Sequence, residues 1–390
     1  MAETILWHDY ETWGVNPSVD FPVQFAAIRT DLDLNIIQDS KAIDWLCRIP
    51  HDYLPHPQAC LVTGLTPSYS LQKGLSEPYF ATKIHQQISS PGTCTAGYNS
   101  IKFDEEVTRN LLFRNFFPVY EREFKHGNSR WDIIDLVRAC YALRPEGINW
   151  PQHETGKPSF RLEDLCKANE IEHESAHDAL SDVYATIAVA KLIKQKQTKL
   201  YDFYWQLREK QQVSQYLHKF LGNVLVYVSG FINSEQGCCT LILPICEHPA
   251  NKNAVLCIDL LSPVSALLGS HLASQELSSK SAELAELIFK RDAAEVARPR
   301  LHSIATNRCP FIAPYKTLTP ESASRFGIDV NLALSRANKL RQETQIAQLC
   351  SQIYAQRRPP QASANIDQAL YSIGFPEPAD SAIMNNIRES

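Results

Sequence analysis

A chain of 390 residues, 44% hydrophobic and 21% charged, is long enough for two or three domains and too apolar for a disordered protein. Its net charge of −5 argues against a protein that coats nucleic acid through bulk electrostatics. The excess of acid lies in residues 1–200, which carry −6 against +1 for the remainder, so a polyanion bound there must meet local basic residues or metal ions. No apolar run approaches the roughly 18 residues that cross a bilayer, and no basic N-terminal region precedes a long hydrophobic stretch. The eleven cysteines are odd in number, scattered and without a C-x-x-C pair, which argues against a disulfide framework or a zinc site. The expectation is a cytoplasmic protein with reduced thiols and no membrane association.

In chain order, residues 4–10 read as a strand that runs into two acids one residue apart, Asp9 and Glu11. Successive side chains of a strand alternate in direction, so Ile5, Trp7, Asp9 and Glu11 share one side. Residues 23–29 and 35–37 read as two more strands joined by a turn at 31–33, completing a meander, and residues 61–67 as a punctuated loop. A helix is expected over 79–88, a buried strand over 93–98, a helix from Asp104, and a strand at 131–136 running into a helix that ends near Leu143. Residues 162–169 form a short helix and 176–196 a long one with Ala179, Val183, Ile187, Ala190 and Ile193 along one face. Strands first, then strands alternating with helices, give a mixed α/β domain. Beyond it come helical, connective residues 200–221. Short β-rich runs follow at 223–229, 240–243, 254–260, 301–304 and 310–312, with helical segments at 274–290 and 331–355, the pattern of a small barrel-like domain.

Three places carry chemistry. Like charges as close as Asp9 and Glu11 are unfavourable unless a cation neutralises them or one holds a proton, and such oxygen ligands suit Mg²⁺ or Mn²⁺. For a lone D-x-E, however, two solvated acids at a strand end are the commoner explanation. Asp104, by itself, reads as a helix cap, with Glu105 and Glu106 complementing the helix dipole. His177 at the entrance of the long helix reads alone as a surface residue, and Asp182 as a dipole partner one turn in.

Taken together, D-x-E on the first strand, Asn99-x-x-x-Phe103-Asp104 and His177-x-x-x-x-Asp182 follow the order and spacing of the DEDDh 3′→5′ exonucleases. The segments 8–12, 25–30, 103–110, 128–132, 138–151 and 158–162 further resemble the bacterial exonuclease I family, and the likeness extends over roughly residues 4–390. The resemblance implies an α/β fold with a ribonuclease H-like exonuclease domain at 1–197. It further implies an SH3-like β-barrel with helical insertions at 198–352, a linker at 353–365, and at 366–390 the incomplete start of a helical C-terminal domain.

It implies degradation of single-stranded DNA from the 3′ end to 5′-mononucleotides, in DNA repair and recombination. Asp9, Glu11 and Asp182, with Asp104, would hold two Mg²⁺ ions, Mn²⁺ substituting, and His177 would be the general base. Glu11, Arg161 and Phe160 would touch the strand, a ring stacking a base while a guanidinium grips phosphate. Arg109, Arg138, Arg144 and Lys157 are further candidates for the DNA path. The implied partner is the acidic C-terminal tail of single-stranded DNA-binding protein, and the implied state a monomer. The rivals are a DEDDh nuclease acting on RNA ends or proofreading beside a polymerase, and a catalytically silent strand-binding scaffold. The length of chain beyond the nuclease region opposes the first, and the intact set of acids with His177 opposes the second.

Overall fold

Strand β1 (Thr4–Thr12) sits at the centre of its sheet because both faces carry bulk that only burial satisfies: Ile5 and Trp7 on one, Leu6, His8 and Tyr10 on the other. It pairs antiparallel with β2 (Pro22–Thr30), which pairs antiparallel with β3 (Ile43–Leu46). Helices α1 (Pro57–Thr63), α2 (Pro67–Lys73) and α3 (Glu77–Ile88) follow. On its other edge β1 runs parallel to β4 (Thr93–Gly97), which leads to α4 (Asp104–Arg114) and then to β5 (Ser129–Asp132), parallel to β4. The mixed sheet has the order β3-β2-β1-β4-β5. Leu6, Tyr10 and Phe25 pack with Phe80, Ile84 and Ile88 of α3 and Val107 and Leu111 of α4, while Trp7 meets Trp131 edge-on at 6.0 Å.

The computed structural model describes residues 3–38, 40–173, 177–269, 273–289, 298–357, 363 and 365–389. The chain divides into two compact units, one comprising residues 1–134, 159–195 and 361–390, the other 135–158 and 196–360. Helix α5 (Ile134–Leu143) begins at the first division; α6 (Leu162–Ala168) and nearly all of α7 (Ala179–Lys196) belong to the first unit. The second unit continues with α8 (Thr198–Gln206) and α9 (Lys210–Leu217). Its strands β6 (Leu225–Val228), β7 (Cys239–His248) and β8 (Asn251–Asp259) precede α10 (Ser274–Phe289), and β9 (Leu301–Ala305) and β10 (Phe311–Pro314) follow it. They form an antiparallel sheet in the order β10-β6-β7-β8-β9, bulged where Pro244 and His248 interrupt β7. Helices α11 (Pro320–Arg325), α12 (Val330–Arg341) and α13 (Ile346–Ala355) end the unit. Helix α14 (Pro378–Glu389) returns to the first unit, where Arg388 donates to the Phe116 carbonyl at 2.7 Å. Among the described residues no helix is long and apolar enough to cross a membrane.

Several elements differ from the sequence reading. Residues 35–37 are no strand: Leu34 takes a left-handed φ of 67°, the Asp31 carboxylate captures the Asn35 amide at 2.8 Å, and only Ile36 bridges to Thr30. The third strand is Ile43–Leu46, whose Asp44 breaks the apolar pattern in order to accept from Gln24 at 2.9 Å. The expected loop at 61–67 is instead the seam between two short helices. Pro57 and Pro67 open them, Gly64 at φ 70° closes the first, and Thr66 caps the second. Residues 331–355 form two helices, and residue 176, expected to start the long helix, lies outside the described residues, as do 358–362 and 364 of the expected linker.

Candidate active site

Strand β4 pairs with β1 only through Trp7, so beyond that residue β1 has lost its parallel neighbour and must satisfy its amides otherwise. The Tyr10 amide does so by donating to Asp104 Oδ1 at 3.0 Å, which fastens the first residue of α4 between Asp9 and Glu11. Gly97 makes this possible, since a β-carbon there would stand 2.9 Å from the His8 carbonyl and 2.8 Å from Ser100 Cβ. Asp132 secures the turn that follows by accepting from the amides of Asn99 and Ile101 at 2.8 and 3.1 Å.

Helix α7 is brought to the same end of the sheet by Asp178. Its Oδ2 accepts from the Ser181 amide at 3.1 Å as an N-cap, and its Oδ1 accepts from Gln24, the residue paired with Glu11 across β1 and β2. Asp182 lies one turn in. A carboxylate oxygen of Glu11, one of Asp182 and a ring nitrogen of His177 all fall within 4.8 Å of one another. His177 is exposed and held at a left-handed φ of 66°. A second histidine, His173, sets Nε2 2.5 Å from Asp182 Oδ1 with its side chain only 6% exposed. The sequence reading missed both Asp178 and His173. Asp178 carries a legible signal, an aspartate just ahead of an apolar helix; a loop histidine whose partner is nine residues on carries none.

The acids raise one another. Burial, then Asp104, Glu11, Asp182 and Asp178, push the Asp9 carboxyl well above its usual range. Burial and the charges of Asp182 and Asp104 push Glu11 up to about 8. Burial carries Asp104 to about 7 although His8 and the Tyr10 amide pull it down, and burial also raises Asp182 against its bond from His173. Carboxyls that resist ionising together, with an imidazole beside them, form a donor set that a divalent cation satisfies. Asp9, Glu11, Asp104 and Asp182 therefore fit a divalent metal centre.

The sequence profile described as "Exonuclease" matches residues 6–190, and that described as "Exonuclease I SH3-like domain" matches residues 208–356. Exodeoxyribonuclease I of Haemophilus influenzae is 46% identical over 383 residues, which are 98% of this chain and 79% of the relative. The chain belongs to the exodeoxyribonuclease I family. It is accordingly a hydrolase, with a ribonuclease H-like exonuclease domain followed by an SH3-like domain. Escherichia coli exonuclease I in complex with a dA16 oligonucleotide matches at a TM-score of 0.93 and 43% identity, over 100% of this chain and 81% of that one. The zinc-bound form of the E. coli enzyme with single-stranded DNA matches at 0.91 and 43%, with the same coverage. A structure described as single-stranded DNA-binding protein with exonuclease I and an inhibitor matches at 0.90 and 42%, over 100% and 80%.

Behind the carboxylates lies a buried ionic network that corrects two expectations. Glu105 is not a dipole partner at the helix start. It is 1% exposed, pairs with Arg122 at 2.6 Å and with His8 and Arg130 at 3.5 Å, and accepts from Thr95 at 3.1 Å. Burial alone would raise its carboxyl, but Arg122, the His8 bond and Arg130 outweigh it and hold it well below the usual range. Arg109, expected on the DNA path, is 4% exposed and bound to Glu123 and Glu106, each at 2.8 Å. A guanidinium so enclosed holds the fold and does not face a substrate.

The remaining candidates fall on separate units. Phe160 and Arg161 belong to the first. The Phe160 carbonyl accepts from the Tyr98 hydroxyl at 2.7 Å, and the Arg161 side chain is 69% exposed, with Glu163 no nearer than 3.8 Å. Arg138, Arg144 and Lys157 belong to the second, where Arg138 pairs with Asp135 at 2.6 Å and Lys157 with Glu235 at 3.2 Å. Arg144 donates to the Thr317 carbonyl at 3.1 Å and borders an open cavity of about 470 Å³. Lys196, Lys199, Leu200 and Phe203 also line it.

Proposed function

We propose that this chain removes nucleotides one at a time from the 3′ end of single-stranded DNA, releasing 5′-mononucleotides, with Mg²⁺ as its resident ion and a role in DNA repair. The observation that carries the reading is the convergence of Asp9, Glu11, Asp104 and Asp182 from β1, α4 and α7 beside His177. Asp9, Glu11 and Asp182, with Asp104, hold the ions. Bound there, a pair of divalent cations favours ionisation of the attacking water and stabilises the negative charge that builds on the phosphate. His177 accepts the water's proton at a ring nitrogen; its exposed place on the loop ahead of α7 lets the ring reach a terminus entering from solvent. Arg161, extended into solvent, grips a backbone phosphate of the incoming strand, and Phe160 offers its ring to a base. Because DNA approaches an acidic half-chain, Arg161 and the cations supply the local positive charge that the average field lacks.

The acidic tail of a single-stranded DNA-binding protein finds its complement on the second unit. There Arg144, Lys196 and Lys199 offer three cations, and Leu200 and Phe203 an apolar wall, around one cavity. The protein works as a monomer in this reading, in the cytoplasm. The test of the activity is a polarity assay on a single-stranded oligonucleotide blocked in turn at each end, with duplex DNA and RNA of the same sequence alongside. A 5′ block is expected to leave release of mononucleotides intact and a 3′ block to stop it; undiminished release from the 3′-blocked strand defeats the proposal.

A further inference from the structure

Of the side chains that reach the carboxylate cluster, His173 has no part in the reaction described above. It stands four residues ahead of His177, but the two occupy opposite environments: His177 is exposed, whereas the His173 side chain is 6% exposed. Its Nε2 lies 2.5 Å from Asp182 Oδ1, so one oxygen of that carboxylate has a fixed neighbour. Asp182 itself stands in the first turn of α7, its amide bonded to the Asp178 carbonyl at 3.0 Å, so the backbone below the side chain is already fixed. What remains is rotation of the carboxylate, which the backbone amide of His177 also contacts but which only His173 meets with a side chain held in place by burial. An aspartate that turns freely offers a cation two equivalent oxygens in a range of directions, and loses that freedom when it binds.

We infer that His173 is a positioning residue: by holding Oδ1 of Asp182 it fixes the plane of that carboxylate and turns its other oxygen toward Glu11 and His177. This inference rests on the nuclease reading of the site and adds to it a residue that touches neither DNA nor the reacting atoms. Groups that orient a ligand in this way contribute about 10- to 100-fold to metal affinity or activity. The Nε2–H of His173 serves as donor, a function that a glutamine amide reproduces and an alanine does not.

The experiment measures Mn²⁺ binding by titration calorimetry or by the loss of free-ion EPR signal, without DNA and without turnover, on the full chain and its His173→Ala, His173→Gln and Asp182→Ala variants. The expected result is a Kd raised about 10- to 100-fold in His173→Ala and recovered at least in part in His173→Gln. For oligonucleotide cleavage at saturating Mn²⁺, KM is expected to stay within about twofold of the parent, since His173 makes no contact with the strand. Melting of the cation-free variants shows whether each is folded, and if the alanine variant is not, the comparison of His173→Gln with the parent decides. Wild-type Mn²⁺ affinity in His173→Ala overturns the inference, as does a glutamine variant no better than alanine. Asp182→Ala separates the two levels. If it too binds Mn²⁺ like the parent, the metal site itself is misassigned; if it alone loses the ion, only the role of His173 falls.

Discussion

A carboxylate cluster that keeps protons at neutral pH must give them up when a cation enters, and the size of that exchange follows from the site. In the cation-free protein Glu11 is pushed up to about 8 and Asp104 to about 7. At pH 7 the two then hold on the order of one proton between them, and at pH 8 fewer. A cation that binds the ionised forms expels these protons, and its association constant therefore rises roughly tenfold from pH 7 to pH 8, worth about 1.4 kcal/mol. Asp9, raised in the same direction, can only add to this. The sign also fixes the stability. Between the ordinary glutamate value and about 8 the folded chain binds protons that the unfolded chain has released, so the cation-free protein loses stability as pH rises through that window and added cation restores it. Because the acids titrate as a coupled set, the quantity to measure is the total proton count. Calorimetric titration with Mg²⁺ or Mn²⁺ in PIPES, HEPES and Tris at matched pH reads it from the dependence of the heat on buffer ionisation. Heats that are the same in all three buffers, with a Kd that moves less than twofold between pH 7 and 8, refute the assignment of these carboxyls to the metal site.

Four further outcomes are expected. His177→Ala should lower kcat by about 10²- to 10⁴-fold with little change in Mn²⁺ affinity, as for loss of a positioned base, and single-turnover cleavage measures it. Glu105→Gln should destabilise the first unit by about 3–5 kcal/mol in urea denaturation, because it leaves the buried Arg122 guanidinium poorly compensated. Gly97→Ala should cost about 1–3 kcal/mol and impair metal binding as well, since the added carbon meets the His8 carbonyl at 2.9 Å where Asp9 is positioned. Lys199→Glu should weaken binding of a fluorescent acidic tail peptide at least about tenfold, equivalent to about 1.4 kcal/mol, while leaving cleavage of a short free oligonucleotide unchanged; unaltered peptide affinity removes the cavity from consideration.

How much of this was legible in the sequence depended on whether the partner of a residue is local. The alternation of β1 displays Asp9 and Glu11 on one side because period two is a property of the strand alone, and the helices over 79–88 and 162–169 declare themselves by their own spacing. Glu105 and Arg109 could not be read correctly in that way. An acid at a helix start and an arginine one turn later look identical whether solvated or buried; the local pair Arg109–Glu106 says nothing of burial, and the partners that enclose the two, Arg122, Glu123 and Arg130, arrive 14 to 25 residues later on β5 and the turn before it. Arg138 fell between these cases, since its salt bridge to Asp135 is an i, i+3 pair that the sequence does display. Residues 61–67 were misread for another reason: Gly64, Thr66 and Pro67 are punctuation, but punctuation marks a boundary without saying whether helices or loops adjoin it.

Asp104 and Glu105 show why the two carboxylate populations must be kept apart. They are consecutive and both buried, yet the first is pushed up to about 7 and the second is held well below the usual range. The difference lies in what each meets. Glu105 turns to Arg122 and Arg130, whose guanidinium groups neutralise it permanently, whereas Asp104 accepts the Tyr10 amide and adds its charge to that of Asp9. A resident arginine among Asp9, Glu11 and Asp182 would stabilise the fold in the same manner and would compete with any ion from solution. The fold instead places its guanidinium groups behind β1, where they secure the elements that carry the acids, and leaves the acids in front to repel one another. That residual repulsion is what a divalent cation relieves on binding, so the stability lost in assembling the cluster reappears as affinity for the ion.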